Sequence, residues 1–535
     1  MTRASKRPNF VLFITDQHRA DYLGCYGHPI LRTPHIDSIA ARGTAFDRFY
    51  VASPVCMPNR ASLMTGRMPS VHGVRSNGIA LSRQAVTFVD LLRAAGYRTA
   101  LVGKGHLQNF TGNAPLARPR PPADGYRSPP PSLAQAIRDD RDGDDYGQEQ
   151  PDYWQRDDAR IATPFYGFDH VELVRGHGDT VTGDYTRWLL EREPKALSLL
   201  GPENALPTDY VCPQAHRTRI PAELYSTAYI AARARGYLER HAAQTSDDPF
   251  FLMVSFPDPH HPFNPPGKYW DMYRPEQFAV PEAFTRNDWT PPAPVQAAIE
   301  ARARGSANLN GMRSIATTPR EAQEAQALTC GMIACIDDAI GAVLAALADS
   351  GQADDTVLVF TTDHGDHLGD HRLLLKGAEQ YQSIVRVPFI WSDPQQPQKA
   401  ARSGALVSTI DIPATILDRA RCEPYYGLQG RSVLRTIGKA DLGREAAFIQ
   451  YDHQMAGLPP DEGLRVHTLI DARWRMSVVH GSQEGELYDL AADPGEFDNL
   501  WSSPAHRQVR AELMERLART EMAHVDRVPI PTQQA

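Results

Sequence analysis

The first hydrophobic feature of the chain is a continuous apolar run, Asn9–Thr15 (NFVLFIT), that stops at Asp16. Uninterrupted runs of this length predict strands buried on both faces, as in parallel sheets. Three more follow: residues 99–102, Phe250–Ser255 (FFLMVS) and Thr356–Thr362 (TVLVFTT). Stretches with helical spacing lie between them. Thr33 and Pro34 predict a helix start, as N-cap and first-turn proline, and Gly43 predicts its end. Thr318-Pro319-Arg320-Glu321 reads as a capping box. It precedes an apolar stripe of Leu328, Met332, Ile336, Ile340, Val343 and Leu347 that ends near Gly351. Strand and helix in alternation predict an α/β fold: a large mixed, mostly parallel sheet sandwiched by helices.

Two stretches break this pattern. Residues 112–158 are rich in Pro, Asp and Arg with little periodicity, and predict a loop insertion over one end of the sheet. Beyond residue 440 the apolar runs become neighbouring antiparallel strands, at 465–470 and 474–479, joined by a turn at Asp471-Ala472 and followed by a helix over 505–523. The chain therefore divides into a catalytic domain, 1–440, and a smaller α+β domain, 441–535.

Composition narrows the function classes. The 535 residues are 42% hydrophobic and 22% charged, values of a globular enzyme rather than a disordered chain. A net charge of −8 gives no long-range attraction to nucleic acid or anionic membrane, so an anionic substrate must meet a local cluster of cations. The start has basic residues but no apolar run before the first strand, and no stretch approaches the ~20 continuous apolar residues of a membrane span. These features predict a cytoplasmic protein, and a homo-oligomer is compatible with them. The six cysteines, Cys25, Cys56, Cys212, Cys330, Cys335 and Cys422, show no paired framework and read as free thiols.

In open α/β sheets, ligands bind beyond the carboxyl ends of the strands. The polar residues that end the four runs are Asp16-Gln17, Lys104 with His106, Asp258 to His261, and Asp363-His364. Each alone could be a turn or a cap. Together they bring carboxylate, amide, ammonium and imidazole groups to one end of one sheet, the mixture that holds a metal ion and an oxyanion.

One further segment carries a specific signal. Cys56-Met57-Pro58-Asn59-Arg60, followed by Thr65-Gly66-Arg67, resembles the signature of the type I sulfatases, of alkaline phosphatase-like fold. The likeness runs along the chain. It includes the strand and aspartate at 9–21, Thr33-Pro34-His35-Ile36-Asp37, Gly103-Lys104-Gly105-His106-Leu107, and Pro259-His260-His261-Pro262-Phe263. It continues in Thr362-Asp363-His364-Gly365 on to Lys376, and in Leu487-Tyr488-Asp489-Leu490 with Asp493-Pro494, Glu496 and Asn499-Leu500.

The resemblance implies that Cys56 is oxidised to formylglycine by a formylglycine-generating enzyme, and that its hydrate attacks the sulfur of a small-molecule sulfate monoester. It implies one divalent metal ion on Asp16, Cys56, Asp363 and His364. Calcium comes first for an oxygen-rich set, magnesium shares that preference, and the imidazole shifts the balance toward manganese or zinc. It gives His260 and Lys376 to the leaving group, and His106 to the second hydroxyl of the hydrate. Arg60 would orient the modified side chain, with Lys104 and Asn77 on the sulfate or the diol. Gln17 stands where many sulfatases have a second aspartate, and is expected to face the oxyanion. The Asp-Gln and Asp-His pairing also occurs in phosphonate monoester hydrolases and phosphodiesterases of the same superfamily, the nearest alternative. Those enzymes tend to have neutral residues where this chain has Lys104 and His106. A non-catalytic binding protein on the same fold is a third reading. Selectivity for the alcohol is expected in 112–158, 180–218 and the C-terminal domain.

Overall fold

The computed structural model describes residues 7–531 apart from 114–123, 128, 131, 134–140, 142, 245–247, 396–399, 438–442 and 454–462. Its centre is a nine-stranded sheet. In chain order the described strands up to residue 408, nine of them in this sheet, are β1 (Asn9–Thr15), β2 (Thr44–Tyr50), β3 (Arg98–Gly103), β4 (His170–Arg175), β5 (Thr182–Gly183), β6 (Phe250–Ser255), β7 (Ile315–Ala316), β8 (Thr356–Thr362), β9 (Leu373–Leu374), β10 (Phe389–Ser392) and β11 (Ala401–Ser408). The sheet order is β11-β2-β10-β8-β1-β6-β3-β4-β5, and β7 pairs with β9 outside it. The five strands from β8 to β4 run parallel, β10 is antiparallel to both neighbours, and β5 is antiparallel to β4.

The continuous apolar runs are explained by burial of both faces. In β1, Val11 and Phe13 enter one core while Phe10, Leu12 and Ile14 enter the other. β6 and β8 divide in the same way, with Leu252 and Phe360 on the first side and Met253 and Val359 on the second. The first core is roofed by helices α1 (Pro34–Ala41), α3 (Ser226–Ala242) and α4 (Pro319–Asp349); the second contains α2 (Cys56–Thr65). The sequence reading found β1, β3, β6 and β8, the strands with uninterrupted apolar runs. β2, β4 and β11 are not marked in this way because charged or small residues interrupt their runs, as Asp47 and Arg48 do in β2, and β10 is only four residues long.

The capping box of α4 forms as expected, Thr318 accepting from Glu321 N–H while the Glu321 carboxylate receives the Thr318 N–H. The stripe from Leu328 to Leu347 is buried. Among the described helices α4 alone is long and apolar enough to cross a membrane by length and composition, but most of that surface lies in the core. The start of α1 differs from expectation. The Thr33 hydroxyl turns to Asp37 (2.9 Å), and the His35 and Ile36 N–H groups are received by the Asp337 carboxylate of α4, at 3.2 and 2.8 Å. A side chain about 300 residues away does the capping because α1 packs directly on α4.

The C-terminal strands are β12 (Ala447–His453), β13 (Leu464–Ile470), β14 (Trp474–Val479) and β15 (Gly485–Asp489), an antiparallel meander in that order. Phe448, Leu469, Met476 and Leu487 pack against Leu513 and Leu517 of helix α5 (Arg507–Ala523). The boundary expected near residue 440 lies outside the described residues, as do 114–123, 128, 131, 134–140 and 142 of the insertion read at 112–158. The described end of that insertion tucks Gln148 and Glu149 into the interior beneath residues 105–108.

Candidate active site

The carboxyl ends of β1, β3, β6 and β8 converge, and hydrogen bonds between strand ends set their heights. Asp16 N–H donates to the Asp258 carbonyl (3.1 Å), Phe256 N–H to Ile14 (2.8 Å) and Lys104 N–H to Ser255 (2.9 Å). Gly103 makes the last contact possible. At φ +111°, a Cβ there would lie 1.8 Å from the Ser255 carbonyl oxygen, so no larger residue fits. Gln17 and His106 take left-handed backbone, at φ 64° and 57°, a costly conformation for non-glycine residues that tends to cluster at functional sites.

Helix α2 begins at Cys56, six residues beyond the end of β2, and all ten of its residues are buried. Four of them, Asn59, Arg60, Ser62 and Thr65, are polar and need partners. Asn59 accepts the Ala52 N–H (3.0 Å) and donates to the Asp363 carbonyl (2.6 Å). Arg60 donates to the Asp363 carboxylate (2.7 Å), to Ser255 Oγ (3.0 Å) and to the Lys104 carbonyl (3.2 Å). Asn77 receives the Met57 N–H at 3.1 Å and so caps the helix. The nucleophile candidate is thus fixed against three strand ends.

Asp16, Cys56, Asp363 and His364 offer ligand atoms that all lie within 4.8 Å of one another, all buried. Asp16 Oδ1 is buried with no hydrogen-bond partner. Two carboxylates, an imidazole and a sulfur atom standing where an oxygen of an oxidised side chain would lie make a donor set that fits a divalent cation.

On the other side of the thiol, Lys376 Nζ lies 3.2 Å from Cys56 Sγ, 2.8 Å from His260 Nε2 and 2.9 Å from Gln17 Oε1. Lys104 contacts the Asp16 carboxylate and lies 2.8 Å from His177 Nε2. Burial would raise Asp16, but Lys104 and the neighbouring histidines hold it well below the usual carboxylate range. Burial likewise pushes the Cys56 thiol up, and Lys376 and His364 outweigh it to bring it below its ordinary value. His260 and His106 sit well below the usual imidazole range, through burial first and neighbouring cations second.

Asp16, Gln17, Cys56, Arg60, Asn77, Lys104, His106, His260, Asp363, His364 and Lys376 all lie at or beside this end of the sheet, some in settings the sequence did not reveal. Both ends of the Gln17 amide are engaged, Oε1 by Lys376 and Nε2 by Asp366 and His261. The buried His106 ring packs on Phe110 with centroids 4.0 Å apart, its Nδ1 unpartnered. Sequence reasoning missed His177, which stacks on His260 at 3.6 Å with planes 10° apart. It follows β4, so recognising that strand would have found it by the strand-end rule. Glu149 was also missed. It receives the Gln108 N–H (3.2 Å) from beneath the His106 loop, and burial raises its pKa to about 7.

The family model described as Sulfatase matches residues 8–421, and one described as N-sulphoglucosamine sulphohydrolase, C-terminal, matches 369–523. An arylsulfatase of Clostridium perfringens is 26% identical over 534 residues, covering 97% of this chain and 96% of that protein. The multifunctional alkaline phosphatase superfamily protein PehA of Trinickia caryophylli is 27% identical over 549 residues, covering 97% and 96%. Among solved structures, a phosphonate monoester hydrolase of Agrobacterium radiobacter superposes with a TM-score of 0.76 at 25% identity, covering 99% of this chain and 98% of that one.

Proposed function

The chain belongs to the sulfatase family, and from that premise we propose that it hydrolyses sulfate monoesters at a nucleophile made by oxidising Cys56, beside one divalent cation. The observation that carries this reading is the position of the Cys56 sulfur. It lies within 4.8 Å of the ligand atoms of Asp16, Asp363 and His364, and 3.2 Å from Lys376 Nζ.

A divalent cation held by Asp16, Asp363 and His364 supplies Lewis acidity toward a tetrahedral oxyanion. Oxidation of Cys56 to formylglycine supplies a hydrated side chain with two oxygens, one to attack sulfur and one through which sulfate is released. Lys104 and Lys376 place two cations around the sulfate oxygens, the local positive charge that an acidic chain needs for an anionic substrate. Lys376, hydrogen-bonded to His260, delivers the proton that the departing alkoxide requires. His106, held neutral by burial and by Lys104, serves as the base for release. Arg60 and Asn59 keep the nucleophile and Asp363 in register.

A formylglycine-generating enzyme is part of this proposal, as is a cytoplasmic setting. Mass spectrometry of the peptide containing Cys56, paired with hydrolysis of an aryl sulfate, tests the reading. Active preparations that carry only an unmodified thiol would overturn it.

A second reading, phosphonate monoester hydrolysis, is favoured by the Asp16-Gln17 and Asp363-His364 pairing and by the likeness to the Agrobacterium radiobacter enzyme. The comparison that decides is kcat/KM for matched aryl sulfate and aryl phosphonate. A phosphonate preference above about a hundredfold, near 2.7 kcal/mol, would favour the second reading.

A further inference from the structure

We propose that Glu496, in the C-terminal unit, is a positioning residue for Lys376; the inference rests on Lys376 acting as the leaving-group proton donor. Lys376 lies between His371 and Gln382, and one buried glutamate accepts a hydrogen bond from each. His371 Nε2 donates to the Glu496 carbonyl at 3.0 Å, and the Gln382 N–H donates to Glu496 Oε2 at 2.7 Å. The ends are also joined directly. The His371 and Tyr381 rings stack with centroids 3.5 Å apart and planes 7° apart. The segment 371–382 is therefore a closed loop drawn onto the C-terminal unit, with Glu496 hydrogen-bonded to both of its ends and Arg475 over the Tyr381 ring.

Glu496 is itself firmly held. Its Oε1 receives Arg475 Nε, and Arg475, fully buried, also binds Glu486 (2.8 Å) and covers the Tyr381 and Tyr488 rings. The Glu496 backbone is left-handed, at φ 56°, and the Asp493 carboxylate secures the turn by receiving the Phe497 and Asp498 N–H groups, each at 2.7 Å. Glycine would adopt that backbone with less strain. A glutamate there is explained by what its carboxylate does for the loop.

The Glu496 carbonyl holds the His371 side of Lys376, and its carboxylate holds the Gln382 side. On the His371 side Leu375 is already fixed, its N–H on Asp366 (2.9 Å) and its carbonyl on His367 N–H (3.0 Å). From residue 377 onward the loop returns to Tyr381 and Gln382, where the glutamate holds it. Releasing that end loosens the backbone behind the lysine, where Glu379 on Ser314 Oγ (3.0 Å) and the Tyr381 ring stack remain, without touching Cys56, Gln17 or His260, the groups its ammonium meets. A proton donor displaced in this way loses most on poor leaving groups, which carry more charge in the transition state.

The test is a series of aryl sulfates of decreasing leaving-group acidity, assayed with the full-length mature protein and with Glu496→Ala, Glu496→Gln, His371→Phe and Lys376→Ala. Unfolding temperature and metal content are measured on each. Glu496→Ala should slow the poorest leaving group about tenfold more than the best, in the same sense as Lys376→Ala, with metal content unchanged. Glu496→Gln, which still accepts from Gln382, should recover part of the loss. A folded Glu496→Ala whose rates fall equally across the series overturns the proposal. If that variant does not fold, the same flat response in Glu496→Gln and His371→Phe overturns it. A Lys376→Ala profile parallel to wild type overturns the proton-donor reading and this inference with it. A steeper Lys376→Ala profile beside flat Glu496 variants overturns the positioning role alone.

Discussion

Helices α2 and α4 are both buried along most of their length, for opposite reasons. α4 is buried because it is apolar: Leu328, Ile333, Ile336, Ile340 and Val343 enter a core that would accept any well-packed hydrophobic helix. α2 is buried although it carries Asn59, Arg60, Ser62 and Thr65: Ala52, Asp363, Ser255 and Lys104 meet Asn59 and Arg60 from outside the helix, His72 meets Ser62, and Thr65 donates to the Ala61 carbonyl within it. A buried apolar helix indicates packing. A buried polar helix whose partners converge from several strand ends indicates a site, because desolvating those groups is costly unless each is satisfied.

The difference can be broken at the nucleophile first. Cys56→Ala should remove at least about 10⁴-fold of aryl sulfate turnover, roughly 5.4 kcal/mol of transition-state stabilisation, while the unfolding midpoint moves little. Near wild-type turnover in the variant would end the nucleophile reading.

Next comes the arginine that satisfies α2. Arg60→Ala leaves the Asp363 carboxylate buried without its nearest cation and should cost about 3–5 kcal/mol of stability after metal removal. A bound divalent cation compensates the same carboxylate, so denaturant titration should show a smaller loss when metal is present. Equal losses with and without metal would argue against Asp363 as a ligand.

Ile336→Ala makes the matching cut in α4. It should cost about 2–5 kcal/mol by leaving a cavity, independent of metal, with the kcat of the folded variant unchanged. A metal-dependent loss there would erase the distinction between the two helices.

The smallest expected effect is a pH dependence confined to the polar region. Burial raises Glu149 from 4.5 to about 7, so the stability it contributes is fully present below 4.5 and is lost as pH rises through about 7. Glu149→Gln removes that loss. Relative to wild type, the variant should gain stability between pH 4.5 and about 7, by at most roughly 1.4 kcal/mol per pH unit. Urea titrations at pH 5 and pH 8 read the gain directly, and a constant difference between them would refute it.

Much was legible in the sequence because two kinds of information are local. An apolar run bounded by polar residues specifies a strand and marks its end, so β1, β3, β6 and β8 and the residues after them could be read in place. A helical stripe behind a capping box specified α4 in the same way. The cysteine segment was legible through resemblance, since no periodicity reveals what a buried Cys56 is for. What only the tertiary structure decided depends on residues far apart in the chain. Asp337 caps α1 in place of Thr33; Gln17 becomes a brace among Lys376, Asp366 and His261; His177 stacks on His260; and Glu496 closes the lysine loop. Each is a polar group whose partner lies on another element. The physical reason is common to all four: a hydrogen bond or ring contact needs two groups within a few ångströms, and the pairing of distant elements, not the local sequence, sets that distance.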